Sequence, residues 1–125
     1  MIRFYTLAFF EELARRLNAD DAWTRAVGGM DLAIVCSAID LNHSFLLEIR
    51  SGRVVAKEAP PDVHPEFRFE GEYKSWVQLC KGEAEFAELV ETGKFRVSGS
   101  MPKLMGMMGP LNHIVLVARS FPKEF

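Results

Sequence analysis

Three short segments of this chain alternate apolar and polar side chains with a period of two, and that alternation limits the fold more than any other feature. In His43 to Arg50, Phe45, Leu47 and Ile49 fall on one side, with Ser44, Glu48 and Arg50 on the other. Glu66 to Gly71 sets Phe67 and Phe69 against Glu66, Arg68 and Glu70, and Lys94 to Gly99 sets Phe95 and Val97 against Arg96 and Ser98. Successive side chains of a strand point to opposite faces, so each segment reads as a strand with one apolar and one wet face. A sheet made of such strands has to bury one face under another layer.

Two further strands complete the sheet. Asp31 to Asp40 is rich in Ile and Val, and Asp40 to Asn42 turns the chain into the next strand. Ser51 and Gly52 mark a second turn, and Arg53 to Lys57 makes a short strand. Pro60, Pro61 and Pro65 then force an extended connection that continues neither a helix nor a central strand.

Helices supply the covering layer. From Phe4 to Leu17, Phe10, Leu13, Ala14 and Leu17 recur at helical spacing, while Glu11 with Arg15 and Glu12 with Arg16 form two i,i+4 pairs. Asp20 and Asp21 cap a short helix carrying Trp23 and Val27, which Gly28 and Gly29 end. Tyr73 to Lys81 carries Trp76, Val77 and Leu79 or Cys80 and stops at Gly82; Glu83 to Glu91 carries Phe86, Leu89 and Val90 and stops at Gly93. Ser100 is placed as an N-cap with Pro102 in the first turn, and the helix after it lays Met101, Leu104, Met105 and Met108 along one face. A methionine stripe of this kind fits either a core or the lining of a pocket. The β-branched Ile114, Val115 and Val117 leave the last segment open between strand and helix, with a terminal helix as the expectation.

Composition narrows the classes of function. A chain of 125 residues with 49% hydrophobic residues builds its own core in one domain over residues 1–125, without a disulfide or metal. Cys36 and Cys80 lie far apart and read as buried thiols of a reducing, cytoplasmic protein. The Lys and Arg residues are scattered and the formal net charge is −2, so no nucleic-acid partner is expected. No apolar run approaches the roughly 20 residues that span a bilayer.

Sites of chemistry are sparse. His43, His64 and His113 have no metal-ligand spacing around them, Ser98 and Ser100 lack a nucleophile motif and a base, and the glycines make no phosphate loop. Trp76, on a short helix above the Phe67 and Phe69 face, reads as core or as the wall of a cavity.

Taken in order, a helix ending in ARRLNADD, a hairpin of alternating strands, and then EFRFEGEYKSWVQLCKGEAEFAELVETGKFRVSGSMPKLM resemble the sterol carrier protein type 2 family of lipid-binding domains. The resemblance runs over nearly the whole chain. It rests on an ordered set: a strand, Trp76 on the helix after it, Gly82, a second helix closed by Gly93 and Lys94, and a strand ending at Gly99. It implies an α+β fold with a five-stranded, mainly antiparallel sheet, helices on one face, and an apolar tunnel for sterols, fatty acids or fatty acyl-CoA. It also implies binding and transfer without catalysis, no cofactor and no metal. Lys123, Glu124 and Phe125 do not form the peroxisomal address of some members.

The expected ligand wall joins Phe45, Leu47, Ile49, Phe67, Phe69 and Phe95 of the sheet to Trp76, Phe86, Leu89, Met101, Leu104, Met105 and Met108 of the helices. The expected partner is a long-chain lipid or sterol-like small molecule, met during transient membrane contact. Two other readings stand beside this one: an accessory module that presents a lipid-like or quinone substrate to a partner enzyme, and a small enzyme with a carboxylate base in an apolar cavity.

Overall fold

The computed structural model describes residues 1–125 and contains six helices and one sheet of five strands. In chain order these are α1 (Leu7–Asn18), α2 (Asp21–Val27), β1 (Leu32–Ala38), β2 (His43–Arg50), β3 (Arg53–Glu58), β4 (Phe67–Gly71), α3 (Tyr73–Lys81), α4 (Phe86–Glu91), β5 (Phe95–Ser98), α5 (Met101–Gly106) and α6 (Met108–Arg119). The strands lie in the order β3-β2-β1-β4-β5. Three pairings are antiparallel and one, β1 with β4, is parallel, so the sheet is mixed. The proline-rich connection leaves β3 extended, and the chain crosses to the far side of β1 before entering β4 parallel to it.

Alternation sets the faces as the sequence predicts. Phe45, Leu47, Ile49, Phe67, Phe69 and Phe95 are all buried, and Glu48 on the other face pairs with Lys57 at 2.9 Å and Arg50 at 3.5 Å. β1 is central, and both its faces are shielded from Ile34 to Ala38. α1 lies against β3 and β2, α4 lies against β5, and α6 crosses α1, α2, α3 and α5.

Local signals account for the helix ends. Thr6 Oγ1 accepts from Phe9 N at 3.3 Å to start α1, and Asp20 Oδ1 accepts from Ala22 N and Trp23 N to start α2. Gly82 takes a left-handed conformation (φ 80°) and closes α3. On α1 the ion pairs differ from the expected arrangement, because Glu12 takes both Arg15 and Arg16 at 2.6 Å and Glu11 pairs with neither. Positions i+3 and i+4 are both within reach of one carboxylate, so a single Glu serves two guanidinium groups.

The last segment is helical from Met108 in spite of its β-branched residues. Pro110 falls in the first turn of α6, where its missing N–H costs no bond, and Leu111 is buried below it. The methionine stripe, however, is broken. α5 stops at Gly106, Met107 forms the junction, and Met108 begins a new helix.

Gly99 ends β5 at φ 134°, and a Cβ there would collide with the Glu66 carbonyl oxygen and the Phe67 ring. Gly99→Ala is therefore expected to destabilise the protein by about 2–4 kcal/mol through clash and backbone strain together. A denaturant titration with an unchanged midpoint would contradict this.

Candidate functional site

Two apolar cavities lie between the sheet and the helices. The larger, about 70 Å³, is bounded by Phe4, Tyr5, Phe9, Phe10 and Leu13 around α1, Cys36 and Leu47 of the sheet, Trp76, Leu79 and Cys80 of α3, and Ile114, Val115 and Ala118 of α6. The smaller, about 60 Å³, is bounded by Ile34, Cys36, Leu47 and Phe69 below and by Trp76, Leu79, Phe86, Leu111, Ile114 and Val115 above. Cys36, Leu47, Trp76, Leu79, Ile114 and Val115 line both, so the two are neighbouring chambers with a common wall. Every residue around either chamber is hydrophobic.

The walls of the chambers are not equally buried. Leu47 and Trp76 belong to the buried core, and the Trp76 indole is fixed because Nε1 donates to the Ser37 carbonyl at 2.9 Å. Ile114 and Val115 on α6 are only half-buried. α6 is held at its middle and its end by polar contacts. In its middle, His113 Nε2 meets Asp20 Oδ2 at 2.8 Å; at its end, Arg119 Nε donates to Leu79 O at 2.9 Å and Nη2 to Ala84 O at 3.3 Å.

The His113 hydrogen bond, with the α2 amides, holds the Asp20 carboxyl below its usual range. A carboxyl lowered in the native state adds stability that is present above its unfolded value, near 3.8, and is lost as pH falls through the lowered native value. Below about pH 4 the thermal midpoint of the native protein is thus expected to fall more steeply than that of Asp20→Asn. Parallel midpoint curves would show that the α2–α6 contact carries no such linkage.

The chambers offer little chemistry. Burial pushes the Cys36 thiol up to about 12 and raises that of Cys80, which keeps both protonated and poorly nucleophilic.

The structure distributes the residues expected from sequence among three environments. Leu47, Phe69, Trp76 and Phe86 border the chambers. Phe45, Ile49, Phe67, Leu89 and Phe95 pack in the core at no more than 2% exposure each, and Leu104 is buried with them. Met108 is half-buried, whereas Met101 and Met105 are 49% and 68% exposed. Phe4, Tyr5, Phe9 and Phe10 and the α6 residues Ile114, Val115 and Ala118 also border the larger chamber, although none of them belongs to the ligand wall expected from sequence. Their i, i+1, i+4 spacing on α6 was the available signal.

A mixed five-stranded sheet roofed on one face by helices, with an apolar space between the layers, defines a sterol carrier protein 2 fold. A sterol carrier protein 2 crystal structure superposes with a TM-score of 0.83 at 18% identity, covering 96% of this chain and 100% of that one. The chain belongs to the alkyl sulfatase C-terminal family, whose pattern it matches over residues 3–114. The sec-alkylsulfatase Pisa1 from Pseudomonas sp. contains a similar segment, with a TM-score of 0.58 at 16% identity, covering 82% of this chain but only 15% of that enzyme. The ubiquinone synthesis protein UbiJ-SCP2 is also similar, with a TM-score of 0.65 at 13% identity over 90% of this chain and 94% of that one. No curated protein matches the sequence.

Proposed function

We propose that the 1–125 domain binds an apolar lipid-like chain between its sheet and α6, and stores or transfers it without chemical change. The observation that carries this reading is the pair of adjoining chambers walled only by hydrophobic residues. Burial of hydrocarbon is the driving force. At about 0.8 kcal/mol per methylene, ten methylenes contribute on the order of 8 kcal/mol before ordering costs, so affinity needs no charged anchor.

As they stand the chambers together hold roughly ten water-sized groups. A ten-carbon chain therefore needs both chambers, and its entry past the half-buried Ile114 and Val115 calls for an outward shift of α6. Gly106 and Gly109 flank the Met107 junction in open surroundings, which suits them to act as the hinge. The free, buried Cys36 and Cys80 support a reducing, cytoplasmic setting, and no helix is long and apolar enough to cross a membrane.

A second reading has its own support. Membership of a family named for one end of an enzyme, and likeness to a ubiquinone synthesis protein, favour a module that presents such a chain to a catalytic partner. Native mass spectrometry of freshly purified protein distinguishes a loaded from an empty domain. A co-purified or added long-chain lipid is expected as a mass shift, and a protein that stays empty against sterols, fatty acids and quinones would remove both readings.

A further inference from the structure

Tyr5 departs from local rules twice. It is 3% exposed, yet its hydroxyl is the one buried side-chain oxygen or nitrogen without a hydrogen-bond partner. Its backbone also sits at φ 60°, in the left-handed region that a bulky residue seldom adopts. Orphaned buried hydroxyls and strained backbones are uncommon, and both together on a cavity wall mark a position shaped by a ligand more than by packing.

The other polar atoms of the wall are engaged or weak. Trp76 Nε1 is taken by Ser37, Cys80 Sγ lies 3.7 Å from the Ala118 carbonyl, and the Cys36 thiol is a poor donor. Tyr5 Oη is thus the one strong donor free to meet a ligand. Five aromatic rings surround the Tyr5 ring, those of Phe4, Phe10, Phe45, Tyr73 and Trp76, at centroid distances of 5.4–6.3 Å. The Tyr5 ring borders the larger chamber, but its hydroxyl adds no polar surface to the unfilled space, so a ligand meets it only once the chamber widens.

The charge of the ligand is also constrained. No Lys, Arg or His borders either chamber. An unpaired carboxylate or sulfate beside Tyr5 would lose its hydration without gaining a counter-charge, whereas a neutral oxygen would lose little and satisfy the hydroxyl.

We infer that the occupant is an apolar chain bearing one neutral hydrogen-bond acceptor, such as a long-chain alcohol or ketone, which Tyr5 Oη receives as donor; this rests on the carrier reading above. The test titrates 1-decanol, decanoate at about pH 8 and decane into the native protein and Tyr5→Phe, following tryptophan emission and native mass spectra. For the native protein, 1-decanol is expected to bind about tenfold more tightly than decane and also more tightly than decanoate. In Tyr5→Phe the decanol-to-decane preference is expected to fall to about one, and the ligand-free thermal midpoint to stay level or rise as the orphan hydroxyl is removed. An unchanged preference in Tyr5→Phe, a lower ligand-free midpoint, decanoate binding tighter than decanol, or equal binding of decanol and decane by the native protein would each overturn the role of Tyr5. If neither decanol nor decane binds either protein, the carrier reading itself falls and the inference with it.

Discussion

Trp76→Ala is expected to lower the unfolding free energy by about 3–5 kcal/mol, a large share of the roughly 5–15 kcal/mol available to a domain of this size. The indole forms part of both chamber walls, packs 4.5 Å from the Phe95 ring and 5.6 Å from the Tyr5 ring, and donates to the Ser37 carbonyl. Truncation removes the packing and the hydrogen bond together and merges the chambers into one larger void. Trp76→Phe separates these contributions. Most of the packing stays, the donor goes, and a loss of about 1–2 kcal/mol is expected. Chemical denaturation of both variants measures the difference. A cost below about 1 kcal/mol for the alanine variant would mean that the indole is not the keystone of the layer between sheet and helices.

The second large effect is on binding. Ala118 faces the larger chamber from α6, and its replacement by Phe places a ring in space that the ligand would use. Excluding about three methylenes from burial forfeits about 2.4 kcal/mol, or about a 50-fold loss of affinity for a decyl chain. The protein itself should lose little, because the added ring fills existing space instead of displacing packed atoms. Isothermal titration with 1-decanol, set beside the thermal midpoint, reads both quantities. Full affinity in a stably folded Ala118→Phe variant would place the ligand elsewhere.

Much of the sheet can be read from the chain, because a half-buried strand writes its two faces directly into alternate positions. Phe45, Leu47, Ile49, Phe67, Phe69 and Phe95 all fall on the buried face for that reason. Helix ends are equally local, since Ser100, Asp20 and Gly82 act on their immediate neighbours. The parallel pairing of β1 with β4 is not local. Three prolines say that the chain leaves β3 extended, but which strand it joins next depends on the layer as a whole.

The methionine segment shows a different limit. Helical spacing puts Met101, Leu104, Met105 and Met108 on one face only if a single helix runs through them, and the turn at Met107 reorients the second half. Leu104 is buried while Met101 and Met105 face outward, so the roof passes to Ile114, Val115 and Ala118. Ile114 and Val115 favour strands when taken alone. Packing of α6 across four other helices overrides that preference. Tyr5 was the least legible of all. Its left-handed backbone lies next to a segment tied to the other end of the chain, where Phe4 N donates to Glu124 O and Glu124 N to Ile2 O, each at 2.8 Å. Only the folded protein brings those residues together.

The claim that an apolar chain lies between the sheet and α6 is tested most directly by nuclear Overhauser contacts in the 1-decanol complex. Contacts from the ligand methylenes to the methyl groups of Leu47, Leu79, Ile114 and Val115 are the predicted result, since these four residues border both chambers. Contacts confined to the exposed Met101, Met105 and Leu116 would show a chain lying on the outer surface of the helices and would contradict the account.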